Sequence, residues 1–330
     1  MPDSRFWDRS TSPTELDRHA LHSRPTRVDV TRHRNLLAFL VLAVLWGASY
    51  PAVKAGLAGF PPILFAALRF DLVGLLVLGY VVVSDRRWRP SRTDLPNIVA
   101  GATLFIAVHN GLLFVGQDYV TSAVSAIILS TIPVLSAGFA RPVFPEERLT
   151  PLDVGGILIG LVGVVVIAAP NPRIATTPDL FGVSILLLSA AAFALGGVVT
   201  RYLRPVGPRL PLAAYQGWTM LLGGGMLHLG SLALGERQSV DLSVSVVVAF
   251  VYLVPFAGAL GYLLYFDLLD RLGPVEINLV GYVSPVFAAL VGWALLDEPF
   301  VATTALGFGV IVVGFLLVKR RAIRAQLVGA

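Results

Sequence analysis

Nine stretches of this chain run 19 to 26 residues without a single Asp, Glu, Lys or Arg: 35–53, 95–117, 119–140, 154–172, 180–200, 210–235, 242–266, 277–296 and 299–318. A hydrocarbon layer about 30 Å thick is crossed by ~20 helical residues rising ~1.5 Å each, so every one of these runs can span a bilayer. A tenth segment, 61–84, has the same apolar character and is broken only by Arg69 and Asp71. Spanning β-strands would alternate over ~10 residues, and a run such as 155–169 (GGILIGLVGVVVIAA) does not alternate. The expected fold class is therefore an all-α integral membrane protein of ten transmembrane helices, with the lipid bilayer as its first partner. Charged residues make up 14% of the chain, against ~25% in soluble domains, which leaves almost nothing for a soluble domain.

The charges that remain lie between the spans, and their sign is uneven. With the N-terminus inside, 21 of the 25 Lys and Arg residues fall on the cytoplasmic side. Lys54, Arg173 and Arg237 fall outside, and Arg69 is embedded. The positive-inside rule then places both termini in the cytoplasm of a multi-pass cell-membrane protein. The same distribution reads against a nucleic-acid partner, since the net charge of +5 is not gathered on one soluble face. Residues 1–34 hold seven Arg, five acids and three His with no apolar run, and read as a disordered cytoplasmic tail. The absence of cysteine excludes disulfides, thiolate nucleophiles and cysteine metal sites.

Sliding the sequence by 152 residues sets Asp118 on Asp270, Pro133 on Pro285, Glu146 on Glu298 and Gly155 on Gly307. Shifts of 147 and 149 set Arg69 on Gln216 and Gly47 on Gly196. The expected organisation is a first repeat over 35–170, a second over 179–319, and a basic C-terminus at 320–330. Five spans per repeat is an odd number, so the second copy is inverted, as in secondary transporters with a solute site near the midplane.

Several motifs carry a resemblance. The first span holds Trp46-Gly47 with Ser49, Pro51 and Lys54, and the second holds Leu68-Arg69-Phe70. Ile132-Pro133-Val134 leads to Pro145-Glu146-Glu147, and Ser284-Pro285-Val286 leads to Leu296-Asp297-Glu298-Pro299. Over about residues 36–318 the chain resembles the EamA family of the drug/metabolite transporter superfamily. In the second copy Ala194-Leu195-Gly196 replaces the Trp-Gly pair. The resemblance implies export or exchange of a small organic metabolite, such as an amino acid, nucleobase or related compound, by alternating access, with export the expected direction. It implies no cofactor and does not name the solute.

Polar residues are costly in the membrane and mark the places to look. Arg69 and Asp71 lie about 12 and 15 Å below the outer end of their span, and His109 and Asn110 at similar depth, by the helical rise. Gln216 and Asn278 fall in the inner half, and Tyr50 in the outer. The expected solute cavity is lined by Arg69, Asp71, His109, Asn110, Gln216 and Asn278. Asp71 and His109 are the candidate proton-coupling groups, and Pro133 and Pro285 the candidate kinks for gating. Arg69 and Asp71, two apart on a helix, do not face each other. His228, alone on its helix, reads as hydrogen-bonded to a neighbour. Glu146 and Glu298 read as helix-start groups. No catalytic constellation, metal-ligand spacing or P-loop is present. The alternative is a membrane enzyme on isoprenoid or lipid phosphates, resting on the single acid pair Asp267 and Asp270.

Overall fold

The structure is a computed structural model that describes residues 27–84, 86–144, 150–168, 177–203, 210–273, 277, 279–299 and 301–328. Ten helical segments occur among the described residues, at the places where the nine uncharged runs and the segment 61–84 put them. They are α1 (Arg27–Leu57), α2 (Pro62–Val83), α3 (Leu95–Gln117), α4 (Ser122–Val143) and α5 (Pro151–Ala168), then α6 (Thr177–Tyr202), α7 (Leu212–Ala233), α8 (Val244–Leu272), α9 (Val280–Leu296) and α10 (Ala302–Val328). No strand appears among the described residues. Six helices are long and apolar enough to cross a membrane, and Pro151–Gly163, Val280–Leu296 and Ala302–Leu317 are shorter apolar pieces. The remaining helix, α7, is diluted by Gln216, Trp218, Thr219 and His228.

The helix ends differ from the sequence reading in two places. α1 starts at Arg27 and α10 continues to Val328, so eight residues assigned to the N-terminal tail and most of the basic C-terminus are helical. Residues 1–26 lie outside the described residues, as does Glu146. Residues Met1–Leu37 form a unit by themselves, of which the described part is the start of α1. The second unit is Ala38–Ala330.

The inversion of the second repeat is visible in how equivalent helices cross. In α5 and α10, a Cβ on Gly163 would lie 2.7 Å from the carbonyl oxygen of Gly307 and 3.0 Å from the amide of Ile311. A Cβ on Gly314 would lie 2.5 Å from the Gly156 oxygen and 2.7 Å from the Gly160 nitrogen. As residue numbers rise along one helix they fall along the other, so the mates run antiparallel. α2 and α7 repeat the pattern: Gly74 faces Gly217 and Leu221, and Gly217 faces Leu78. Lipid tails are as apolar as leucine, so close backbone approach at small residues takes the place of a hydrophobic drive.

Both repeats also carry a π-helical segment in their third helix, Ala102–Val108 within α3 and Tyr252–Leu260 within α8. Such segments shift the register of the side chains that follow them. In α4 the helix stops at Leu129 and restarts at Ile132, with Pro133 in the first turn of the new segment. Its repeat mate Pro285 sits inside α9, which runs uninterrupted from Val280 to Leu296. The two prolines therefore have different local settings.

Glu298 caps a helix, although not its own. Its carboxylate accepts from the backbone N–H of Ser122 at 3.0 Å and from the Ser122 hydroxyl at 3.0 Å, at the first residue of α4. The preceding Asp297 adopts φ 52°, which turns the chain back over α9, and Gly292 leaves the room that Glu298 occupies. Glu236 does the same at α2, accepting from the amides of Ile63 and Leu64 at 3.0 and 2.9 Å. Each cap supplies negative charge to unsatisfied N–H groups at a helix start.

The glycine crossings yield a direct test. Gly314→Ala must push α5 and α10 apart, at a cost of about 1–3 kcal/mol, and lowers the thermal midpoint in detergent. Gly309→Ala, where a Cβ meets nothing within 4 Å, leaves it unchanged or raises it. Equal midpoints for the two variants would contradict the crossing.

Candidate functional site

A cavity of about 1160 Å³ lies between the repeats, walled by α1 to α4 on one side and α6 to α9 on the other. At one end its lining residues Arg201, Leu212 and Asp270 are exposed. At the other end Val53, Leu113 and Gln117 are buried. The sealed end is laced across elements. Lys54 Nζ donates to the Val120 carbonyl, Gln117 Nε2 donates to the Tyr50 carbonyl, and the Asp241 amide donates to the Gly59 carbonyl. The mouth is at the end where α6 and α8 finish, the end also reached by the start of α3. Asp94 lies there just before α3. Burial raises its pKa, but hydrogen bonds from the Ser91 hydroxyl and amide and the charge of Arg87 outweigh that and hold it low.

Arg69 projects from α2 into this cavity and is 8% exposed. Its guanidinium lies 5.2 Å from the Phe70 ring centroid and 5.8 Å from that of Phe114. Tyr50, Tyr252 and Tyr262 are its electrostatic neighbours. Among the described residues it has no carboxylate partner, and its buried Nε has no hydrogen-bond partner at all. An embedded cation held by aromatic rings and facing open space is prepared for an anionic group.

The other residues expected at the site divide. Gln216 lines the cavity from α7, the repeat mate of Arg69. His109 and Asn110 line it too, but both are partly engaged. His109 Nδ1 lies 2.8 Å from the Ser189 hydroxyl and 3.0 Å from the Ser189 carbonyl. Asn110 Nδ2 donates to the Phe105 carbonyl at 2.7 Å, a group within the π segment. Pro133 lines the cavity and Pro285 does not. Asn278 lies outside the described residues. Asp71 is a correction: it is turned away from the cavity, with Oδ2 2.8 Å from His228 Nε2 on α7. The physical reason is the ~200° that separates positions two apart on a helix.

The sequence reading missed one wall of the cavity. Trp46, Tyr262, Tyr265 and Phe266 line it together, with Trp46 centred 5.7 Å from Tyr262 and 5.2 Å from Tyr265. Gln117 and Ser284 line it as well, each with a buried oxygen that lacks a partner. Aromatic residues are ordinary in apolar helices, so a polarity search passes over them. The spacing Tyr262, Tyr265, Phe266 on one helical face was the available signal. The acid pair of the alternative reading does not act as a unit, since Asp267 is tied to Arg271 at 2.7 Å while Asp270 stands at the cavity mouth.

Comparison with known proteins agrees with this layout. The profile of the EamA-like transporter family matches residues 33–169 and 180–320. The uncharacterized inner membrane transporter YedA of Escherichia coli K12 is 29% identical over 293 residues, covering 87% of this chain and 92% of that protein. An S-adenosylmethionine/S-adenosylhomocysteine transporter of Chlamydia trachomatis is 25% identical over 299 residues, covering 88% and 91%. A crystal structure at 21% identity superposes with a TM-score of 0.63 over 89% of this chain and 99% of the other, a likeness of fold.

An unpaired buried cation costs stability wherever it serves no partner of its own. Arg69→Met therefore keeps or raises the thermal midpoint of the purified protein, by an amount on the order of 1 kcal/mol. A marked fall would mean that Arg69 ties helices together.

Proposed function

Because the chain belongs to the EamA-like transporter family, we propose that it exports a small organic solute with an anionic group, an amino acid or related compound, by alternating access. The observation that carries this reading is the guanidinium of Arg69, which has no carboxylate partner among the described residues and faces a cavity shared by two inverted repeats. Arg69 binds the solute's carboxylate, Gln216 meets it from the second repeat, and the aromatic wall of Trp46, Tyr262 and Tyr265 takes its apolar or planar part. His109 and Asn110 shape the cavity beside Arg69. The Chlamydia relative fits this chemistry, since both compounds in its name end in an amino-acid carboxylate.

In this reading both termini are cytoplasmic, as the charge asymmetry requires. The described arrangement is then open to the cytoplasm and sealed outside. Pro133, which opens the second segment of α4 on the cavity wall, and Pro285, its mate in α9, are the points at which the walls bend between states. Uphill export draws on the proton gradient.

Comparing extracellular and intracellular metabolites in cells with and without the chain tests the reading. A carboxylate-bearing compound accumulates outside only with the wild-type chain. Arg69→Met, expressed at the same level, loses that accumulation. A chain-dependent flux of neutral compounds that Arg69→Met leaves untouched would overturn it.

A further inference from the structure

Outside the cavity, an ionisable pair lies on the facing helices α2 and α7, well inside their ends. Asp71 on α2 and His228 on α7 are 2.8 Å apart, with side chains 30% and 35% exposed on the outer wall of the bundle. Room for the carboxylate comes from Gly224, where a Cβ would lie 2.0 Å from Asp71 Oδ1. Neither residue lines the cavity. Ionisable groups within spans are costly to keep and mark functional sites, proton relays among them.

Between this pair and the sealed end of the bundle α7 carries a further polar group. Ser231 lies one turn above His228 on the same face of α7. Its hydroxyl donates to Glu236 Oε2 at 2.7 Å and accepts from Gln238 Nε2 at 3.0 Å. Gln238 is exposed beyond the end of α7. Two hydrogen-bonded sets, Gln238–Ser231–Glu236 and His228–Asp71, thus follow one another one helical turn apart from the end of the bundle opposite the cavity mouth, a seam of polar groups.

We propose that the Asp71–His228 pair is the proton-binding site that couples transport, entered along this seam from the end opposite the solute mouth. The inference rests on the transporter reading and adds the site and the sense of exchange. A proton from the aqueous phase bonds to the carboxylate or the imidazole and later leaves by the reverse step, with no other bond changed. It alters the charge on the turn of α2 that carries Arg69 on its cavity side. Two sites loaded from opposite ends of the bundle suit exchange of proton for solute rather than cotransport.

The charged groups on the elements packed against the pair are directed elsewhere. On α2 the other charged group is Arg69, directed into the cavity. On α3, which packs on both helices, His109 is turned to Ser189, and Asp94 lies at the far end. On α8 the charged residues Asp267, Asp270 and Arg271 are at the mouth end. Glu236, Arg237 and Asp241 lie above α7, where Arg237 holds Asp241 at 2.8 Å.

The test uses the purified full-length chain in nanodiscs, with the proton as probe. Infrared absorption of the carboxylic C=O is followed as pH is lowered. The expected result is a band that Asp71→Asn removes, His228→Gln shifts, and Asp267→Asn leaves alone. A band unchanged in Asp71→Asn overturns the proposal. If Asp71→Asn fails to fold, His228→Gln decides, since loss of its partner must move the band, and an unmoved band overturns the proposal equally.

Vesicles loaded with deproteinised metabolite extract and a trapped pH dye give the second arm. Proton entry accompanying solute exit falls to the level of protein-free vesicles in Asp71→Asn. Solute exit with proton entry unchanged in Asp71→Asn sinks the proposal while sparing the transporter reading. An Asp71-dependent band without solute exit does the reverse.

Discussion

Helices inside a bilayer gain nothing from hiding apolar surface from one another, so something else must hold two five-helix repeats together. Here it is backbone on backbone. At Gly163 and Gly314 the antiparallel mates α5 and α10 approach so closely that a methyl group would overlap carbonyl or amide atoms. At Gly74 and Gly217, α2 and α7 do the same in milder form. These crossings fix the pseudo-two-fold relation, and the cavity is the space that the relation leaves between the other helices. Carboxylate caps from Glu298 and Glu236 then fasten the starts of α4 and α2 across the repeats. One end of the bundle is closed by such contacts, and the other keeps an exposed mouth.

α2 and α7 have two faces with different work. Arg69 and Gln216 look into the cavity, while Asp71 and His228 meet on the outside. The α-helical period separates them: two residues of sequence turn a cation inward and an acid outward. Solute and proton, in the proposed account, act on opposite sides of the same pair of mates. That arrangement lets one crossing respond to both without the two ligands competing for one space.

Much of this was legible in the sequence because the bilayer sets lengths and punishes charge. Uncharged runs located the helices, and the shift of 152 exposed the repeat through a few polar and special residues. Arg69 stood out because a guanidinium inside a span has few ordinary uses. Asp71 stood out for the same reason, yet its direction could be read only from helical phase, and its partner His228 needed the α2–α7 packing to be known. Trp46 and the tyrosines of α8 were hidden because aromatic residues also serve as lipid-facing or core groups. The π segments were invisible, since no residue type encodes them and each depends on packing within the bundle.

The chain contains no cysteine, so a single one can be introduced without removing others. The most direct measurement places it at Gln216, on the cavity wall, and follows its reaction with a membrane-impermeant maleimide in sealed vesicles of known orientation. The account predicts labelling from the cytoplasmic side in the unloaded protein, slowed by the solute that the chain exports. Labelling that is indifferent to that solute, or that proceeds only from the outside, would contradict it.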